Sequence, residues 1–210
     1  MKSRPTFWIA TLSLSAFAGI GHASLIFLEN FNTVTDGLAK TGAVGNFTVT
    51  MGNVDVVGTH NSNLYSYLCV SPESVNCVDL DGNTKGQIST SSISLSPGTY
   101  TLTFDLNGSR RGNSTSTTVS FASFSHTYVL GSGDLNTFTI QISVTTAGSS
   151  TLVFTSNTAG AAGALLDDVS INFTPNSPPP TVPEPTTGLA MISSLGLVVT
   201  ARRRIFGKAR

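Results

Sequence analysis

The sequence predicts an all-β protein whose main part is a two-sheet antiparallel β-sandwich, and three observations support this. Apolar and polar residues alternate with period two in several segments, as in strands with one buried and one solvated face. Turn-forming residues separate these segments. The chain is rich in Gly, Ser and Thr and only 10% charged, a composition that disfavours helical bundles.

Residues 1–23 are predicted to be a cleavable signal peptide. Lys2 and Arg4 precede an uncharged, mostly apolar run over residues 7–20, and small residues at its end favour cleavage before Ser24. The alternative is a short membrane anchor, but the run is shorter than the roughly 20 residues that a span needs. We therefore expect signal peptidase to process an exported protein.

Residues 24–174 form the predicted β domain. Its clearest strand places Tyr100, Leu102, Phe104 and Leu106 on one face. The other apolar faces are Phe138, Ile140, Ile142 and Val144; Leu152 and Phe154; and Val169, Ile171 and Phe173. Eight or more strands and no credible helix indicate a sandwich.

The charge of this domain differs from that of the whole chain. Four basic residues against ten acidic ones give residues 24–174 a net charge of about −6, whereas the full chain is neutral. Such a surface disfavours nucleic-acid binding and attracts cations, calcium in particular.

The C-terminal region divides into three segments. Residues 175–185 are a proline-rich linker, which we expect to be extended. Residues 186–204 are predicted to be a short transmembrane helix, and residues 205–210 a basic cytoplasmic tail. The alternative for the apolar segment is a buried core helix.

The order of motifs in this region resembles a known sorting signal. Val182, Pro183, Glu184 and Pro185 precede the apolar run, and Arg202, Arg203 and Arg204 follow it. This arrangement is similar to the PEP-CTERM tail of Gram-negative bacteria that make exopolysaccharide. The resemblance implies transient anchoring in the inner membrane with the domain in the periplasm, then processing by an exosortase and release to the cell surface or extracellular matrix.

The β domain has a second resemblance. Residues 28–31, 96–102 and 163–171 resemble the motifs of galactose-binding-like jelly rolls, found among carbohydrate-binding modules and PEP-CTERM proteins. The resemblance implies a structural calcium ion held by Glu29 with Asp167 or Asp168. Regular strand pairing would also turn Asp167 inward, where a carboxylate needs a partner. The alternatives to a cation are a β-bulge that redirects it or a hydrogen-bond donor.

Three further features of the domain are candidate sites. Cys69 and Cys77 are predicted to form a disulfide that closes a short loop. Tyr65 and Tyr67 form the best aromatic cluster for sugar stacking, the alternative being a strand with both rings on the core face. The Arg110-Arg111 pair either meets an anionic glycan or lies in a solvated turn.

The chain shows little that indicates an enzyme. Asp79 and Asp81 resemble part of a calcium loop but lack the later glutamate, which favours an Asp-Gly turn. Adjacent acidic residues on a strand point to opposite faces, which argues against a glycosidase pair. We therefore predict a non-enzymatic jelly-roll module associated with exopolysaccharide or biofilm. The alternatives are a carbohydrate-binding module with a specific glycan, a structural matrix protein, or a polysaccharide hydrolase.

Overall fold

The computed structural model of the protein describes residues 22–60, 65–69 and 75–176. The predicted signal peptide, sorting motif and transmembrane helix lie outside these residues. Within the described ranges, no helix is long and apolar enough to cross a membrane.

The larger sheet is antiparallel and contains seven strands in the described part of the chain. These strands are β1 (Ser24–Glu29), β2 (Gly37–Lys40), β5 (Val54–Gly58), β6 (Asn76–Asp79), β9 (Gly98–Asn107), β12 (Thr137–Val144) and β15 (Leu165–Pro175). Their order is β12-β9-β15-β6-β5-β2. The start of β15 pairs with β6, and its later part pairs with β1.

The second sheet has six strands among the described residues, in the order β11-β10-β14-β7-β4-β3. These are β3 (Ala43–Val44), β4 (Phe47–Met51), β7 (Gln87–Thr90), β10 (Thr115–Phe121), β11 (Phe124–Leu130) and β14 (Val153–Ser156). A small two-stranded sheet joins β8 (Ile93–Leu95) to β13 (Gly148–Ser150). The predicted all-β, two-sheet antiparallel sandwich is confirmed.

The main hydrophobic core lies between the two large sheets. Alternate residues of β9 are buried along its whole length, which confirms the inward face that the alternation predicted. Phe104 of β9 meets Phe154 of β14 with ring centroids 5.2 Å apart in an edge-to-face arrangement. Each large apolar side chain buried in this way contributes about 1.5–3 kcal/mol.

A second, smaller cluster lies on the outer face of the larger sheet. Val56 and Val78 point into the main core, whereas their neighbours Val57 and Cys77 belong to the smaller cluster. Because adjacent strand residues point to opposite faces, the smaller cluster must be covered from outside. The covering segment is the 3₁₀ turn Ser66–Leu68, whose Leu68 is fully buried there.

The pairing of β15 with β9 contains a bulge between Asp167 and Ser170. Before the bulge Leu166 faces the main core, and after it Val169 and Ile171 do so. The strand therefore changes which alternate residues face the core, and Asp168 within the bulge has a left-handed conformation (φ 48°). Asp167 precedes this change and lies on the same side as Leu165. The pairing is therefore not regular, and of the alternatives for Asp167 the structure shows the β-bulge, which keeps this residue on the side of Leu165 and away from the main core.

Candidate functional site

The segment Tyr65–Cys69 is fastened to the larger sheet at two points. Leu68 is buried against Val57 and Leu165 on the outer face. Cys69 and Cys77 are disulfide-bonded, as predicted, with their Cα atoms 5.6 Å apart. Since Cys77 lies in β6, the disulfide holds the turn to the sheet.

Tyr65 and Tyr67 project from this turn into solvent. Their side chains are 44% and 61% exposed, and their rings meet edge to face with centroids 6.3 Å apart. The alternative of a strand with both tyrosines on the core face is wrong, because the segment is a 3₁₀ turn whose buried side chain is Leu68. The two rings form the exposed aromatic pair of the site.

Arg111 lies beneath the ring of Tyr65. Its guanidinium carbon is 5.5 Å from the ring centroid, within the range of a cation–π interaction. One guanidinium nitrogen donates to the Ala161 carbonyl at 2.6 Å, and the other lies 3.2 Å from Oδ2 of Asp79. Arg111 therefore joins the exposed aromatic pair to the interior of the sheet.

Asp79 is fully buried at the end of β6. Its Oδ1 accepts hydrogen bonds from the backbone N–H groups of Asp81 (3.0 Å) and Gly163 (2.8 Å). Desolvation raises the pKa of Asp79 to about 7, and it outweighs these hydrogen bonds and the charge of Arg111, which lower the pKa. The ion pair with Arg111 is thus strongest above neutral pH.

A cavity of about 320 Å³ opens beside the exposed aromatic pair. Tyr67, Arg110, Ser132 and Gly133 line it. Arg110 is exposed, and its backbone has a left-handed conformation with φ 55°. We refer to these four residues as the tyrosine–arginine pocket.

Two loops that form the wall of the pocket are fixed to each other by backbone contacts. Arg110 N–H donates to the Ser132 carbonyl at 2.9 Å, and Gly112 N–H donates to Ser132 Oγ at 2.7 Å. At Gly108 a side chain is impossible without movement, because a Cβ would lie 1.9 Å from the Gly131 carbonyl oxygen. The pocket wall is therefore preformed and does not need to assemble on binding.

The structure brings together residues that the sequence treated separately. The tyrosines and the arginines are about 45 positions apart and meet because the turn folds over the sheet. In the sequence, Ser132 and Gly133 indicated only a turn, and nothing indicated that they line a pocket. The role of Asp79 had no signal either, because the burial of Arg111, which calls for a carboxylate partner, is visible only in the structure.

Glu29, one of the predicted calcium ligands, is buried and already satisfied by backbone donors. Its Oε1 accepts from Phe31 N–H at 2.8 Å and its Oε2 from Asn46 N–H at 2.6 Å. The strand register places Glu29 opposite Val169, beside Asp168. Each oxygen of this carboxylate thus has one backbone donor and keeps one further lone pair.

Asp167 and Asp168, the other predicted ligands, differ in exposure: Asp167 is buried and Asp168 exposed. Asp167 Oδ1 accepts a hydrogen bond from Asp168 N–H at 2.8 Å within the bulge. Among the residues that the structure describes, no group of three or more His, Cys, Asp or Glu residues could hold a metal ion. A structural calcium at Glu29 and these aspartates stays a prediction.

The other acidic pair of the sequence does not form an open carboxylate site. Asp79 and Asp81 are both fully buried, so neither reaches a polysaccharide chain at the surface. A hydrolase needs two carboxyl groups about 5–10 Å apart that flank a bound sugar. This burial argues against catalysis by Asp79 and Asp81.

Comparisons with known proteins find similar folds but no family. No protein-family model matches the chain, and no curated protein is similar to it. The xylan-binding CBM22-1 domain of Paenibacillus barcinonensis Xyn10C has a TM-score of 0.51 at 14% identity, over 75% of this chain and 99% of that domain. The tandem CBM22-1-CBM22-2 structure gives 0.52 at 15% identity, over 78% of this chain and 49% of that one.

A further solved structure with this fold is an adhesin domain. The K3 cleaved adhesin domain of Lys-gingipain from Porphyromonas gingivalis has a TM-score of 0.50 at 18% identity, over 72% of this chain and 99% of that domain. At these identities the similarity establishes the fold. The predicted jelly-roll β-sandwich is thus confirmed.

Proposed function

We propose that the β domain is a non-catalytic carbohydrate-binding module and that its glycan lies in the tyrosine–arginine pocket. This is the alternative of the sequence analysis, now preferred over a structural module without a defined ligand. The fold is that of a xylan-binding domain and of an adhesin domain, which supports the proposal without identifying a ligand.

The observation that carries the proposal is the exposed position of two tyrosines beside a preformed polar cavity. Tyr67 is 61% exposed, so most of its ring is accessible to a ligand. A flat aromatic ring in this position offers a stacking surface to the C–H face of a sugar. Arg110 and Ser132 supply the polar groups that orient hydroxyls, and a cavity of about 320 Å³ lies within the range of small-ligand sites.

The test is the binding of the full chain to a panel of neutral and acidic polysaccharides. Tyr67→Ala should weaken binding to any retained glycan about tenfold, equivalent to about 1.4 kcal/mol, because it removes the stacking surface. Tyr67→Phe is the matched control, since it keeps the ring and loses only the hydroxyl. Failure of the panel to retain the chain, or equal affinity for parent and Tyr67→Ala, contradicts the proposal.

Export and sorting remain part of the proposed function. The Cys69–Cys77 disulfide is the kind of bond that persists in an oxidising compartment, and Val182–Pro185 with Arg202–Arg204 form the sorting motif. Signal peptidase and an exosortase would then deliver a glycan-binding domain to the surface or polysaccharide matrix. Intact mass and fractionation of the native protein test this, and recovery of an unprocessed chain from the cytosol contradicts it.

A further inference from the structure

We propose that the ligand of the tyrosine–arginine pocket is an acidic glycan, and that Arg110 binds the carboxylate of a uronic acid residue. The inference rests on the proposed function, because it names the class of glycan for the same pocket. It follows from the different surroundings of two neighbouring arginines, Arg110 and Arg111.

The guanidinium of Arg111 makes its contacts within the protein. It contacts Asp79, the Ala161 carbonyl and the ring of Tyr65. These contacts neutralise its charge and hold it in place. Arg111 therefore positions the exposed aromatic pair and is not available to a ligand.

Arg110 has no such internal role. Its side chain is exposed and lines the pocket beside Tyr67. Among the described residues, no carboxylate forms an ion pair with the guanidinium of Arg110, and the buried carboxylate of Asp79 pairs with Arg111 instead. The nearby acidic side chain of Asp134 turns back on its own loop, where its Oδ2 accepts from Gly131 N–H at 2.7 Å.

The net charge of the domain bears on the class of ligand that Arg110 would bind. With a net charge of about −6 over residues 24–174, the domain repels an acidic polymer unless a local cation attracts it. A neutral sugar requires no cation in its site. An arginine beside an exposed tyrosine, with no ion-pair partner among the residues that the structure describes, therefore favours a ligand that carries negative charge.

The chemistry of the pocket fits a uronic acid. The planar guanidinium of Arg110 matches a carboxylate with two parallel N–H···O bonds. Ser132 Oγ already accepts from Gly112 N–H, so its own hydroxyl hydrogen can donate to a sugar oxygen. The ring of Tyr67 provides the stacking surface for the pyranose that bears the carboxylate.

The experiment compares acidic polymers with esters of the same polymers, in which the carboxylate charge is removed. The full chain is tested for binding to polygalacturonate and alginate, and to the methyl ester of the first and the propylene glycol ester of the second. We expect at least one acid form to bind about tenfold or more tightly than its ester, because a charge-assisted contact is lost on esterification.

Variants assign the preference to the pocket. Arg110→Gln should remove most of the difference between acid and ester, and Arg110→Lys should retain part of it, because lysine keeps the charge without the planar fork. Lys40→Gln is the matched control, since it removes one positive charge from β2, outside the pocket. Thermal unfolding of each variant verifies that the fold is retained.

The outcomes separate this inference from the proposed function. Equal binding of acid and ester, or an acid preference that survives Arg110→Gln, overturns the inference and leaves carbohydrate binding in place. Binding only to the uncharged polysaccharides of the wider panel likewise overturns the inference and leaves carbohydrate binding in place. A chain that binds no glycan, acidic or neutral, overturns both.

Discussion

Asp79 connects the interior of the domain to the surface that we propose binds glycan. Its carboxylate is fully buried, yet it contacts Arg111, which in turn lies under the exposed ring of Tyr65. A single buried acidic residue therefore determines whether the arginine beneath the site has a charged partner. Sequence reasoning could not predict this contact, because Asp79 looked like part of an Asp-Gly turn.

The raised pKa of Asp79 predicts a pH dependence of stability. The folded value of about 7 lies above the reference value of 3.8, so the folded state holds the proton more tightly than the unfolded state. The free energy of unfolding should then fall as pH rises from 3.8 to about 7 and level off above it. Asp79→Asn should flatten this part of the curve, as measured by denaturant unfolding at several pH values.

A matched control separates Asp79 from the other acidic groups. Burial also raises the pKa values of Asp55 and Asp81, so the flattening by Asp79→Asn is expected to be partial. Asp134→Asn removes the same charge from an exposed loop. If Asp79→Asn and Asp134→Asn give identical pH profiles, the account of Asp79 is wrong.

At the scale of elements, period-two alternation was enough to predict the strands but not their irregularities. β9 alternates along ten residues, and each predicted core residue is buried. The bulge at Asp167 in β15 was only one of the alternatives, because a carboxylate in the inward register can be redirected by a bulge or met by a partner, and alternation does not distinguish these. The 3₁₀ turn at Ser66–Leu68 was missed because three residues are too few to show a period.

The disulfide makes that turn a second testable element. Replacing both Cys69 and Cys77 by Ser should lower the free energy of unfolding by about 2–3 kcal/mol, as expected for a short loop. The loss of glycan affinity should be larger than that of a surface substitution, because the turn carries Tyr65 and Tyr67. Chemical unfolding and glycan binding of the double variant measure both effects.

Unchanged glycan affinity of the double variant would contradict this expectation. Such a result would mean that the burial of Leu68 and the contact of Arg111 with Tyr65 hold the turn without the disulfide. The disulfide would then stabilise the domain without positioning the site.

At the scale of the whole molecule, the fold class was predictable and the site was not. The alternating segments and the turns between them follow from local sequence, so the two-sheet sandwich could be inferred, although the sequence predicted only eight or more strands and the described residues contain fifteen. The site depends on contacts between distant residues: Gly163 N–H meets Asp79 Oδ1 across 84 positions. Such contacts follow from the order of strands in the sheets, which side-chain alternation does not encode.

The most direct test of the central claim is a map of where a glycan contacts the domain. Backbone amide shifts of the isotope-labelled protein, recorded by NMR during titration with a retained oligosaccharide, give that map. Our account predicts that the largest changes cluster at Tyr67, Arg110, Ser132 and Gly133. Changes confined to the outer face of β10 and β11, which carries Ser116, Thr118, Ser120, Ser125 and Thr127, with these four residues unaffected, would contradict it.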